Sequence, residues 1–141
     1  DASQREEIMA DAVTSQTIQD SERKAVLKFT NISDGSGESA VKKVDVSALA
    51  ANSSGSACTE VAVSKIWWQC VGMGVEMLND ASTDTLIIGL SPDSNGMHDY
   101  SSFSGIPNDS GSGKTGDIMF TTIGASSGDT YTVILELLKT Y

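Results

Sequence analysis

The sequence predicts an all-β chain: one β-sandwich or jelly-roll-like domain of about seven or eight short antiparallel strands, preceded by an N-terminal arm. Three observations carry this expectation. Apolar residues recur with a period of two through most of the chain. Clusters of Gly, Asn, Asp, Ser and Pro break that pattern about every 8–14 residues, the spacing of turns in sandwiches and barrels. There is neither a strand–helix–strand rhythm nor an internal repeat of roughly 20–50 residues. Residues 1–20 are assigned to the arm and 21–141 to the sandwich.

At the N-terminus, Ser3-Gln-Arg-Glu6 matches a helix capping box followed by apolar Ile8, Met9, Ala12 and Val13. This reads as a short helix or an arm able to clasp a neighbouring subunit, with Ile8, Met9 and Val13 as candidate contacts. The sequence opens on Asp1; Met9-Ala10-Asp11 resembles a natural start, which makes residues 1–8 upstream or processed sequence. Period two then begins: Ala25, Leu27 and Phe29 line one face of a strand whose other face carries Lys24, Val26, Lys28 and Thr30. A turn at Asp34-Gly-Ser-Gly37 leads to a strand over 41–46, with Val44 and Val46 on one face, and then a small-residue linker over 48–57.

Residues 60–71 form a second strong strand with an internal conflict. Val61 and Val63 set one parity, whereas Ile66, Trp68 and Cys70 set the other, so a β-bulge is expected near Ser64-Lys65. Trp68 then belongs inside with Ile66 and Cys70, and Trp67 faces out as a candidate contact. Gly72-Met-Gly74 breaks the strand, Val75 and Met77 resume alternation, and 79–84 turns into a strand over 85–90. Residues 92–96 turn again, 100–103 suggest a weak edge pairing, and 108–116 form a polar loop. Residues 116–139 read as a hairpin of two strands joined by a Gly/Ser-rich turn. In its second strand Tyr131, Val133, Leu135 and Leu137 fill one face, while Ile134 and Leu138 make the other largely apolar. A strand apolar on both sides predicts a central position and makes Ile134 a further candidate contact.

Composition narrows function before any motif does. In 141 residues, 39% are hydrophobic and 20% charged, enough for one folded domain with a core. Nine basic against 19 acidic residues leave a net charge of −10, which disfavours nucleic acid and anionic membranes as partners and suits a basic protein surface. No segment approaches the roughly 20 apolar residues of a membrane-spanning helix, and no signal peptide is visible. Cys58 and Cys70 are too few for a disulfide scaffold; Cys70 reads as a small buried hydrophobe, with a Cys58–Cys70 bridge as the alternative.

No catalytic motif is complete. Gly111-Ser-Gly-Lys-Thr115 imitates a phosphate loop, but Asn108 stands where the leading glycine belongs and a strand, not a helix, follows. His98 is the single histidine, and its neighbour Asp99 points to the opposite face of a strand, so the two do not make a triad. Glu76, Asp80 and Asp84 resemble paired glycosidase carboxylates, yet their turn context explains them. The oxygen-rich loops 93–96 and 34–38 each lack a full calcium-loop pattern.

Several segments in order carry a family resemblance: Val44-Asp-Val-Ser-Ala-Leu49, Gly72-Met-Gly-Val75, residues 99–106, Gly116-Asp-Ile118 and Gly128-Asp-Thr-Tyr-Thr-Val-Ile-Leu135. From about Met9 to Lys139 the chain resembles small virion structural proteins of tailed phages, notably marine and cyanobacterial ones. The resemblance implies a non-enzymatic structural role without catalytic residues; no cofactor or metal is expected. The expected role is capsid decoration: a cement protein on the outer surface of the head, assembled in the host cytoplasm, bracing major capsid protein subunits as a symmetric oligomer such as a trimer. The alternative is a tail, neck or fibre module that binds the host surface or its glycans.

Overall fold

The computed structural model describes residues 11–141. Nine strands follow in order: β1 (Ala12–Asp20), β2 (Lys24–Ile32), β3 (Val41–Val44), β4 (Glu60–Val71), β5 (Gly74–Asn79), β6 (Thr85–Leu90), β7 (Asn95–Asp99), β8 (Ile118–Ile123) and β9 (Thr130–Thr140). They form two antiparallel sheets, β1-β2-β9-β4-β7 and β3-β8-β5-β6. The pairs β2/β9, β3/β8, β4/β7 and β5/β6 nest inside one another, as if one long hairpin had been rolled over itself. Contacts β9/β4 and β8/β5 then join the pairs within each sheet. This is the jelly-roll arrangement, with β1 added as a ninth strand outside β2.

Alternation dictates the core. Ala25, Leu27 and Phe29 of β2, together with Tyr131, Val133, Leu135 and Leu137 of β9, turn inward from the five-stranded sheet. Val44, Val75, Met77, Ile118 and Phe120 meet them from the other sheet. At the centre the Phe120 ring packs edge-on against Phe29 at 5.4 Å and Tyr131 at 5.8 Å between centroids, the favoured aromatic geometry. The expected bulge in β4 is present: Val63 pairs with Leu137 and Lys65 with Glu136, leaving Ser64 unmatched. That extra residue moves the inward set from Val61 and Val63 to Ile66, Trp68 and Cys70. At Gly72, φ is +83° and an added Cβ would sit 2.1 Å from an Asp129 oxygen, so the crossing from β4 to β5 needs glycine.

Several expectations need correction. Residues 116–139 are two strands but not a hairpin, because β8 lies in the four-stranded sheet and β9 is central to the other. The connecting turn is an arch. Its backbone bonds to the end of β2 instead of folding β9 back on β8: Ser33 N–H donates to Asp129 O at 2.7 Å and Gly128 N–H to Ser33 O at 2.8 Å. Residues 12–20 are neither helix nor free arm but strand β1, paired along its length with β2. Edge pairing falls at 95–99 instead of 100–103: Asp99 Oδ1 accepts from Ser101 N–H at 2.8 Å and Ser101 Oγ–H at 2.5 Å, and the chain coils into a 3₁₀ turn at Ser101–Phe103. A second 3₁₀ turn, Val46–Ala48, ends the 41–46 segment early, although Val44 and Val46 are both buried as expected.

If the β9 inner face organises the core, Leu135→Ala should cost about 2–5 kcal/mol in urea unfolding, and Leu86→Ala, at a side chain 53% exposed, within about 0.5 kcal/mol. Equal losses at the two sites would contradict this assignment.

Candidate interaction surface

Side chains at directly opposed positions of a sheet share a face, so the register places the predicted contacts. Gln16 opposes Lys28, Lys28 opposes Ile134, Ile134 opposes Trp67 and Trp67 opposes Met97. One row therefore crosses all five strands on the outer face, and three consecutive members, Ile134, Trp67 and Met97, are apolar. Trp67 and Ile134 are half-buried and Met97 is 43% exposed. Around Trp67 and Ile134 lies a shallow depression of about 170 Å³, completed by Thr132, Gln69 and the Gly96–Trp68 contact. Beside this row the Glu136 carboxylate pairs with Lys24 at 3.3 Å and Lys65 at 3.9 Å and accepts from Ser64 Oγ–H at 3.1 Å. The one charge interrupting the apolar run of β9 is thus satisfied within its own sheet.

The structure brings together Trp67 and Ile134 but not Val13. Val13 opposes Asn31 on the other face of the sheet, at the far edge, and is 48% exposed. Ile8 and Met9 lie outside the described residues. Both edge strands of the five-stranded sheet are exposed, β7 throughout and β1 at every residue but Asp20. Each offers one unpaired row of backbone donors and acceptors among the described residues, the feature by which sheets recruit another strand.

Strand β1 is nevertheless pinned at both ends. Asp11 accepts from Asn31 Nδ2–H at 3.0 Å and from the Asp34 amide at 3.0 Å. Burial alone would raise the Asp11 pKa, but hydrogen bonds from Asn31, Asp34 and Ser36 outweigh it and hold the carboxyl below its ordinary value. At the other end the fully buried Lys139 side chain pairs with Asp20 and donates to Ser21 O at 2.6 Å and Ala50 O at 3.1 Å. Burial opposes its charge, yet Asp20 prevails and the Lys139 pKa is raised. Asp20 Oδ2 also accepts from Ala50 N–H at 2.8 Å, so a single ion pair ties β1, β9 and the 48–57 connection together.

An aromatic series missed by sequence reading runs along the β7 edge. Trp68 packs on His98 at 4.8 Å, His98 on Tyr100 at 5.8 Å and Tyr100 on Phe103 at 5.9 Å, with Phe103 60% exposed. Trp68 belongs to the inward set as expected, but remains half-buried, its Nε1–H donating to Ser94 Oγ at 3.0 Å. Only the spacing of 98, 100 and 103 hinted at this, and it becomes meaningful once β7 is known to pair with β4.

Most of the motif-like residues have structural occupations. Loop 111–115 docks on the 80–82 turn, Thr115 Oγ–H donating to Asp80 Oδ2 at 3.0 Å and Ser82 N–H to Ser112 O at 3.1 Å, and it feeds into β8. Asp84 Oδ1 accepts from Ala81 N–H at 3.1 Å, and Asp93 Oδ1 from Gly72 N–H at 2.7 Å. Glu76 opposes Gly89 and Thr121 on the outward parity of β5. His98 and Asp99 diverge as strand neighbours, and Asp99 is committed to Ser101. No group of three or more His, Cys, Asp or Glu suited to a metal ion occurs among the described residues. Cys58 and Cys70 are free and buried; burial raises both thiols, Cys70 to about 11, so neither is an activated nucleophile. Comparison with family models, with curated proteins and with solved structures gives no match.

These shifts have one sign at high pH. Cys58, Cys70, Tyr100 and Tyr131 are raised by burial, and Lys139 is raised by Asp20 against burial. A raised native pKa means the folded state holds its proton longer; that stability is fully present below the ordinary value and is lost as pH climbs towards the native one. The thermal midpoint by circular dichroism should therefore fall between about pH 8 and pH 11. A flat profile over that window would show that these burials do not persist in solution.

Proposed function

We propose that the chain is a phage virion structural protein that decorates the head and stabilises it by bridging neighbouring major capsid subunits, acting as a symmetric oligomer. The observation that carries this reading is the in-register row Ile134–Trp67–Met97, an apolar stripe on an outward sheet face that runs from central β9 to the β7 edge. A half-buried tryptophan beside aliphatic side chains has the composition of an interface centre, and the ion pairs of Glu136 flank it with polar groups. The jelly roll is compatible with such a role, being used in virus particles as well as in sugar-binding proteins, but a fold does not assign a function. The net charge of −10 suits a basic lattice surface. Bracing follows from linkage: a protein that binds the assembled lattice more tightly than free subunits stabilises the assembly, and a symmetric array multiplies modest contacts.

A second reading, a tail, neck or fibre module that binds host glycans, draws on a different observation. The run Trp68–His98–Tyr100–Phe103 presents two exposed rings, His98 and Phe103, of the kind that stack on sugars. The two readings differ in copy number on the particle, which tracks the capsid lattice in one and the tail symmetry in the other.

The test uses particles stripped of the protein. Stripping should lower head stability to heat and osmotic shock, and re-addition should restore it. Ile134→Asp should cost about 1–2 kcal/mol, stay folded by circular dichroism and fail to rebind. Unchanged stability after stripping, or normal rebinding by the variant, would overturn the bracing role.

A further inference from the structure

A second constellation sits between the sheets, away from the outer face. Asn31 lies on β2 in the five-stranded sheet and Lys43 on β3 in the other. A register shift between Lys42 and Val44 turns Lys43 out of the ladder, so its stem lines the cleft formed with Leu27, Phe29 and Leu49. Its ammonium meets the Glu38 carboxylate, and both side chains are nearly sealed, 5% and 6% exposed. The other oxygen of the same carboxylate accepts from Asn31 Nδ2–H at 2.8 Å and from Tyr131 O–H at 2.6 Å. One glutamate thus touches a buried amine and a buried primary amide together. Asn31 is 1% exposed, and its Oδ1 has no hydrogen-bond partner among the described residues.

This arrangement is costly as it stands. A buried ion pair recovers its desolvation cost only with good geometry and full hydrogen bonding, and an orphaned amide oxygen adds to the cost. Stability alone does not explain keeping these three groups beside the apolar core with one buried oxygen unpartnered. They are, however, the components of an acyl transfer.

We propose that Lys43 and Asn31 condense into an intramolecular amide across the two sheets, with Glu38 as the proton carrier. Glu38, in contact with the Lys43 ammonium, takes a proton from it and frees the amine as a nucleophile. The Nζ lone pair adds to Asn31 Cγ, forming a C–N bond and placing negative charge on Oδ1. Glu38 then delivers its proton to Nδ2 and takes one from Nζ. The Cγ–Nδ2 bond breaks, Oδ1 returns as a carbonyl and ammonia leaves. The remaining proton stays on Glu38 or departs with ammonia as ammonium, so no oxidant or other co-reactant is required. Tyr131 steadies the carboxylate throughout, because burial keeps its hydroxyl protonated well above the ordinary range. Glu38 is itself held in place by mutual bonds with Thr122: Glu38 N–H to Thr122 Oγ1 at 2.8 Å and Thr122 N–H to Glu38 O at 2.9 Å.

Intact-mass spectrometry of the full chain under denaturing conditions tests this directly. The wild type should be lighter than its sequence by one ammonia, about 17 Da, and tandem spectra should contain a branched tryptic peptide joining Asn31 to an uncleaved Lys43. Glu38→Gln, checked for folding by circular dichroism, should keep the full mass. Lys43→Met separates the cross-link from a cyclic imide formed by Asn31 alone: full mass supports the cross-link, and the same loss of ammonia in this variant refutes it. Folded wild-type protein that keeps its full mass after prolonged incubation would overturn the proposal whatever the variants do.

Discussion

The packing of the β9 inner face between β2 and β4 is the constraint on which the remaining structure depends. Tyr131, Val133, Leu135 and Leu137 are each at most 1% exposed, and both neighbours run alongside nearly the whole strand. Strands β2 and β4 can pair with β9 only in the registers that also turn Leu27, Phe29, Val63 and Ile66 inward. The bulge at Ser64 is a consequence: without it, half of β4 would present its apolar set to solvent. The buried Lys139–Asp20 pair then fixes how far β9 extends past the β1–β2 turn, so the register and the charge pair reinforce each other.

What could be read from the sequence follows the same logic. Strands with one buried face announce themselves, and β2, β4, β5 and β9 fall where alternation places them. The Ser64 bulge was legible because a parity switch is a local signal. Strands β1 and β7 were not, because a strand exposed on both faces has no apolar period to reveal it. The arch between β8 and β9 uses the same glycines and serines a hairpin would; partners more than ninety residues away along the chain decide between the two. At the surface, the outward parity of Trp67 and Ile134 was visible within each strand, but not their adjacency, which depends on inter-strand register. The meeting of Asn31, Glu38 and Lys43 was equally hidden, since it requires one residue from each sheet and a bulge that turns a lysine inward.

Part of the acidic character also has a structural origin. Asp34, Asp45 and Asp99 each accept a backbone amide from the serine two residues on, and Asn52 and Asn108 do the same. This repeated Asp/Asn-x-Ser turn closes loops that a jelly roll must make at both ends of its sheets. Three of the 19 acidic residues are engaged in this way, so part of the net charge of −10 serves loop closure and the rest is what remains for a partner surface.

The nested pairing also governs how the chain reaches this state. The outermost pair, β2 with β9, joins residues 24–32 to residues 130–138, and the five-stranded sheet has no centre until that closure occurs. Local hairpins such as β5/β6 form across a short turn and carry little loop-closure entropy, whereas the final zipper carries most of it. Folding should therefore be slow for a domain this small. Until β9 arrives, Leu27 and Phe29 stay uncovered, an interval in which a growing chain is most open to chaperones or to pairing with another copy of itself.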